Sequence, residues 1–493
     1  MKIASPKFHT KHLTANAEAM LRCQTALEHY DREDHQGAQT TMRPLWKGVG
    51  YRPNTSGLHE SVAEVLLCTG VLTGWIGNKI QIKDAQEMAK DLIGAAISYF
   101  ESVGDLKKVA AARAELAYCY WREGKFNEAR IMIQEALQRL TTEGDTRAKA
   151  ILKLTTIEWT SGHFFEALTI LNNNAALYEK TPNHTTKGAY HSQIAIVLRN
   201  LATPDNRSEY FQRAVNEYKE ADLHFKLARN PIYRADVKNN VGFLLYKLSR
   251  FKEAHKYLNE ARRLTFSLKD KSRTAQIDET RAQVLIAEGK FKEAESVARK
   301  AASALVRSGN QCLVADALIT QGIALARGGK PEQAQIVFQE AIELALRVEA
   351  QNKAGLAALT LIEEVSDLSP ATLQAAYERA REWLAEPQSK EVLSRLNQAA
   401  GKFVSSVRLS AEDATEILLS RGCDFQQGIL DAEREMIRQA LAQANGRVTH
   451  AAALLKLSYQ GLAYIIESRH PDLRKERLPI RRRRSPRKDL PDN

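Results

Sequence analysis

A short phrase recurs along the chain at near-constant spacing. It reads GKFNEA at Gly124–Ala129, GHFFEA at Gly162–Ala167, SRFKEA at Ser249–Ala254, GKFKEA at Gly289–Ala294 and GKPEQA at Gly329–Ala334. A looser copy, SEYFQRA, lies at Ser208–Ala214. The closing alanines stand at 129, 167, 214, 254, 294 and 334, so the steps are 38, 47, 40, 40 and 40 residues. A period of this size leaves little freedom of fold, because each unit is too small to bury its own apolar face and must stack on its neighbours. The phrase also predicts where helices meet. Its leading Gly or Ser closes one helix and supplies the turn, the aromatic two positions on packs under that turn, and Glu-Ala opens the next helix with acid near its positive end. Small or apolar residues follow at helical spacing, as in Ala254, Leu258 and Ala261, or Ala294, Ala298 and Ala301. Gly242, Ala282 and Gly322, each twelve residues before a closing alanine, predict close approach of the paired helices.

The rest of the composition agrees with a helical, folded chain. At 493 residues the protein is too long for one ordinary core. Glycine and proline are sparse, and Ala, Leu, Glu, Lys, Arg and Gln outnumber the β-branched residues. No stretch approaches the roughly 20 apolar residues of a membrane helix. The N-terminal run MKIASPKFHTKHLTANAEAML lacks the apolar centre of a secretion signal. Five scattered cysteines, Cys23, Cys68, Cys119, Cys312 and Cys423, form no CxxC and read as free thiols in a reducing compartment. A cytoplasmic protein without membrane association is expected.

The repeat resembles the tetratricopeptide family on Gly242, Phe251, Ala254 and Ala261 in one copy and on Gly322, Ala334 and Ala341 in another. That family's usual period is about 34 residues, so steps near 40 imply longer helices or loops. The lengthened form is similar to the superhelical sensor arrays of MalT-type transcription activators. The resemblance covers roughly residues 100 to 350, and degenerate copies extend it to an array over 58–386. It implies a superhelix whose groove binds a protein, a peptide or a small effector. Phe126, Phe164, Phe251 and Phe291 read as packing residues, not ligand contacts. Residues 1–57 carry no defined pattern.

Signals for chemistry are thin. The Gly-Lys pairs at Gly124, Gly289 and Gly329 do not form phosphate loops: the position five residues earlier is Cys119, Val284 or Ala324, and no Ser or Thr follows to hold Mg²⁺. His59-Glu60 does not continue into HExxH, since position 63 is Ala. His9/His12 and His184/His191 lack a partner cluster in the sequence. No catalytic residue, metal or cofactor is expected, and the chain does not read as an enzyme.

The C-terminus points elsewhere. After a connector over 387–429, interrupted by Gly401, Gly422 and Gly428, the apolar stripe Met436, Ile437, Ala440 and Leu441 predicts a helix from about Leu430 to Ala444. Asn445-Gly446 suits a left-handed cap. A second short helix opens at Val448 or Thr449, with Ala451, Ala452 and Leu455 on one face. Lys456-Leu457-Ser458 makes the turn, Ser458 caps a third helix, and Leu462, Ile465 and Ile466 form its inner face. Paired alanines let the two helices cross tightly, as a helix-turn-helix requires. This pattern resembles the Fis-type helix-turn-helix of bacterial enhancer-binding activators on Asn445, Gly446, Ala451, Ala452, Leu454, Leu455, Leu457, Ser458, Leu462 and Ile466. It departs from that family at Lys456, which replaces the turn glycine, and in a third helix without the usual arginines.

The candidate readers of base edges are Tyr459, Gln460 and Tyr464 on the third helix. Phosphate contacts are expected from Arg447, Thr449, His450, Lys456, Ser458, Arg469 and His470. The net charge is +12, and the 25 residues from Arg469 carry ten Lys/Arg against four Asp/Glu, half of that excess. Arg481, Arg482, Arg483 and Arg484 lie in this basic tail over 471–493, which is expected to be disordered when free and to add salt-dependent affinity.

The sequence therefore predicts an all-α chain: a tetratricopeptide-type helical repeat superhelix, a small helix-turn-helix domain over 430–470, and a disordered basic tail. The partners expected are double-stranded DNA, a protein or peptide in the repeat groove, and a second copy in a homodimer that reads two half-sites. The competing reading is a non-enzymatic scaffold or adaptor whose basic tail binds RNA or an acidic partner.

Overall fold

In the computed structural model, which describes residues 13–141, 144–308, 311–384, 392–405 and 425–477, every regular element is helical. The chain separates into two compact units, Met1–Leu396 and Asn397–Asn493. The first opens with α1 (Ala15–Asp31) and α2 (His35–Met42). Helix pairs follow: α3/α4 (Val62–Lys79, Ala85–Ser102), α5/α6 (Leu106–Arg122, Phe126–Arg139) and α7/α8 (Asp145–Thr160, Phe164–Asn173). After a short α9 (Ala175–Lys180) come α10/α11 (His184–Leu201, Arg207–Leu227), α12/α13 (Pro231–Lys247, Phe251–Ser267) and α14/α15 (Lys271–Ala287, Phe291–Ser308). The last pairs are α16/α17 (Gln311–Arg327, Pro331–Arg347) and α18/α19 (Gln351–Glu364, Pro370–Trp383), before a helix α20 over 392–405.

The repeated phrase folds as its chemistry predicts. Gly124, Gly162, Gly289 and Gly329 all adopt positive φ, between 76° and 87°, and Ser249 takes the same left-handed geometry at 58°. The next helix starts two residues later, and all six closing alanines are fully buried. Phe126, Phe164, Phe251 and Phe291 are half-buried beneath the turns, with Phe251 and Phe291 packed on core clusters. The single long step of 47 residues has a local cause: α8 stops at Asn173, and α9 is inserted before α10 begins.

Paired helices meet where a side chain is missing. A Cβ on Gly242 would stand 2.5 Å from Leu258 Cγ, and one on Gly322 2.8 Å from the Phe338 ring. Between successive pairs, first helices touch first helices at α3–α5, α5–α7, α7–α10, α12–α14, α14–α16 and α16–α18, while among the described residues the second helices make no comparable contact with one another. The first helices therefore form the inner layer of a curved array.

The N-terminal segment lies on that inner layer. Ala19, Cys23 and Ala26 of α1 pack against Val65, Cys68 and Leu72 of α3. The turn after α1 then reaches helices distant in sequence. Asp31 pairs with Lys149 at 2.9 Å, the Asp31 carbonyl accepts from Asn230 Nδ2 at 3.1 Å, and Glu33 pairs with Arg273. Asn230 is fully buried and also caps α12, accepting from the Tyr233 N–H.

A histidine trio forms between α10 and α11. His184 and His191, which look isolated in the sequence, flank His224: His184 Nδ1 lies 3.1 Å from His224 Nδ1, and the His191 and His224 rings stack at 5.6 Å. His191 also bonds Glu217 at 2.8 Å. Burial, with His191, His184 and Lys187 nearby, pushes His224 down to about 4. Among the described residues, no group of three His, Cys, Asp or Glu side chains is arranged to hold a metal.

Two stability measurements follow. Gly322→Ala adds helix propensity worth about 1 kcal/mol but forces a methyl into the Phe338 ring, and overpacking costs about 1–3 kcal/mol. The melting temperature should fall by a few degrees; a rise would mean that Phe338 has room to retreat. Because His224 is held below its usual 6.5, the unfolded chain binds more protons between pH 6.5 and about 4. Its contribution to stability is present above that window and is lost as pH falls through it. Thermal melts of His224→Asn across this range should show a shallower loss than the parent, and parallel curves would remove the effect.

Candidate nucleic-acid interface

The second unit contains α21 (Phe425–Gln443), α22 (Val448–Leu454), α23 (Tyr459–Ser468) and a 3₁₀ turn over Pro471–Glu476. α21 begins five residues before the predicted Leu430 because it runs through Gly428, and α20 likewise runs through Gly401; one glycine weakens a helix by only about 1 kcal/mol. Ile437, Ala440, Leu441 and Ala444 pack against Ala451, Ala452, Leu462 and Ile466 in one small core. Met436 was expected on the same stripe but is 58% exposed. Leu473 is fully buried in this core, so the head continues past His470 into residues that the sequence alone assigns to the tail.

Both joints have the geometry that their residues favour or endure. Asn445 (φ 50°) and Gly446 (φ 77°) are left-handed and end α21, with the Gly446 N–H bonded to the Leu441 carbonyl at 2.8 Å. Lys456 takes φ 55° where the related motif has glycine, so it endures left-handed backbone instead of avoiding it. Ser458 then caps α23, its Oγ accepting from the Gly461 N–H at 3.0 Å.

The candidate DNA contacts fall into distinct environments. Tyr459, Gln460 and Tyr464 are exposed on α23, Tyr464 to 69%, opposite the buried Leu462 and Ile466. Arg447 is the N-cap of α22, with Thr449 and His450 exposed in its first turn, and Lys456 is exposed in the joint. Arg469 is exposed and pairs with Glu433 at 3.1 Å. His470 is corrected by the structure. It is only 3% exposed and hydrogen-bonds Glu433 at 3.0 Å, tying the end of α23 to α21 instead of facing outward. Arg481, Arg482, Arg483 and Arg484, with the predicted disorder of their segment, lie outside the described residues.

Sequence reading missed the clamp around the 3₁₀ turn. Arg434 pairs with Asp472 at 3.0 Å and Arg438 with Glu476 at 3.3 Å. Arg474 and Arg477 both hold Glu467, at 2.8 and 3.1 Å, and Arg477 also donates to the Ala463 carbonyl. Arg474 and Arg477 look like tail charge in the sequence; only the buried Leu473, spaced after Ile466, hints that they belong to the head.

Residues 429–466 match the family described as bacterial regulatory protein, Fis family. The chain is thus an array of paired helices followed by a Fis-type helix-turn-helix. No curated protein matches the chain. Among solved structures, a Rap protein complexed with competence and sporulation factor is 13% identical, covering 71% of this chain and 98% of that one, with a TM-score of 0.47. A signal transduction ATPase with a tetratricopeptide repeat sensor, PH0952 from Pyrococcus horikoshii, is 15% identical over 78% and 65%, also at 0.47. Aspartyl phosphate phosphatase F from Bacillus subtilis is 11% identical over 79% and 95%, at 0.46. These likenesses are loose, and the repeat architecture stands on the chain's own helix pairs.

Lys456→Gly separates geometry from charge. Relief of left-handed backbone should stabilise a fragment of residues 425–493 by up to about 1 kcal/mol, while the lost cation should weaken duplex binding. Denaturation and mobility-shift titrations of the same fragment test both; an unchanged affinity removes Lys456 from the interface.

Proposed function

We propose that the protein is a DNA-binding transcriptional regulator in which the helical array receives its signal as a protein, a peptide or a small effector and the C-terminal head docks on duplex DNA. The observation that carries this reading is α23: a helix capped by Ser458, packed through Leu462 and Ile466, and presenting Tyr459, Gln460 and Tyr464 outward. In a helix-turn-helix the first residues of the second helix meet base edges in the major groove. Gln460 suits an adenine edge, and the tyrosines suit thymine methyls or phosphates. Arg447, Thr449, His450, Lys456, Ser458 and Arg469 would contact the backbone, and Arg481 to Arg484 would add sequence-independent affinity. Because α23 has no outward arginine, affinity is assigned mainly to these flanking groups.

A head of this size gains specificity as a homodimer on paired half-sites. Ile429 and Met436, two turns apart on α21, are half or more exposed and offer an apolar contact for a second copy. The reading needs no cofactor and no catalytic step, and it places the protein in the cytoplasm. Among the described residues no helix is long and apolar enough to cross a membrane.

A fragment of residues 425–493 should fold and retard duplex DNA. Alanine at Arg481, Arg482, Arg483 and Arg484 should weaken every duplex alike and lower the salt-dependence slope by about 3–4, near 0.9 per lost phosphate contact. Gln460→Ala should instead change sequence preference. If the fragment prefers single-stranded RNA to duplex, the scaffold or adaptor reading replaces this one.

A further inference from the structure

We infer that the inner face of the array holds a binding site for a small, neutral, aromatic molecule, closed on one side by helix α1. The inference rests on the proposed role of the array as the receptor for a signal, and it names the chemistry of one such signal.

The site is a cavity of about 410 Å³ between α1, α3, α5, α7, α10, α11 and α12. That volume falls in the range of small-molecule pockets, about 300–1,000 Å³. Five rings line it: Tyr30 from α1, Tyr118 from α5, Tyr218 and Phe225 from α11, and Tyr233 from α12. Leu152 and Ile196 add apolar wall. Such a surface favours a flat, polarisable ligand, since offset and edge-on ring contacts add to simple burial.

Charge on the wall is cancelled within the protein. Lys153 pairs with Glu115, Lys149 with Asp31 at 2.9 Å and Asp145 at 3.3 Å, and Asp236 with Arg273 at 3.1 Å. An ionic ligand would find no unpaired countercharge there and would have to shed its hydration. Hydrogen-bonding capacity, by contrast, is left over. Ser192 and Gln193 both line the cavity, and their Oγ and Oε1 atoms are shielded from solvent and have no hydrogen-bond partner. The Gln193 amide is fixed in this orientation, because its Nε2 donates to the Leu152 carbonyl and to Thr156 Oγ1. Buried polar atoms left unmet are uncommon in folded proteins. Two on consecutive residues of α10, in the wall of an aromatic cavity, fit a ligand with a ring and a hydrogen-bond donor.

Helix α1 makes the site conditional. Leu27, Tyr30 and Asp31 complete the wall, and Asp31 and the following turn reach Lys149, Asn230 and Arg273. A bound molecule is therefore covered by the N-terminal segment and holds it against the array.

The test uses the full chain and N-phenyl-1-naphthylamine, a neutral two-part aromatic with one N–H donor that fluoresces when desolvated. A saturable rise at one molecule per chain is expected, with slower hydrogen exchange in residues 15–31. Ala189→Trp, which fills the cavity from α10, should weaken binding at least tenfold. Leu27→Lys, at a position 36% exposed and so tolerant of substitution, should do the same from the α1 side by placing a charge on the wall. No saturable signal, or full binding in both variants, overturns the inference. Duplex retardation is measured on the same preparations: DNA binding without probe binding sinks this site alone, and probe binding without DNA binding sinks the regulator reading alone.

Discussion

The array depends on the closeness with which paired helices approach, and in five of its pairs that distance is set by a residue with no side chain. Gly70 sits under Ile93, Gly188 under Phe225, Gly242 under Leu258, Gly322 under Phe338 and Gly355 under Leu384, each leaving less than 3.0 Å for a Cβ. The large partner fills the space that the glycine vacates, so each pair is a knob seated on bare backbone. The energetic return comes from dispersion and burial across the whole seam. Because the closing alanine of each phrase is also fully buried, each pair presents compact surfaces to the next.

Curvature has a chemical consequence. First helices converge, so their polar side chains meet residues from several units at once, and the N-terminal segment supplies more. Lys149 is shared between Asp31 and Asp145, and Arg273 between Glu33, Asp236 and Asp270. Charges on this face are satisfied internally, which leaves shape and hydrogen bonding to select what enters. The head divides the work differently. Its core is nine small or aliphatic residues, its joints use left-handed backbone, and its 3₁₀ turn is clamped by arginines, of which Arg474 and Arg477 count as tail charge in a linear reading.

Much was legible in the sequence because it is local or periodic. Left-handed turns at Gly124 and Ser249, helix starts at Phe126 and Phe251, buried alanines and the Ser458 cap are decided within a few residues of the chain. The helix-turn-helix was legible for the same reason: its two joints and its alanine pair fall within about twenty residues. Misreadings occurred where one residue can serve either of two faces. Met436 fits the helical period of the core yet points outward, and His470 fits a basic surface yet is buried against Glu433.

The sequence by itself determined the helical class, the period, the place of each repeat turn and the position of the helix-turn-helix, because near neighbours and fixed spacing encode all four. Only the tertiary structure decided what lies on the inner face. Asp31 meets Lys149 and Asn230, Glu33 meets Arg273, and His224 joins His184 across separations of 40 to 240 residues. No local propensity specifies such meetings; they arise when stacked units curve and bring first helices together. In the proposed function the arginine-rich end meets a polyanion, while the folded array decides what else the chain can hold.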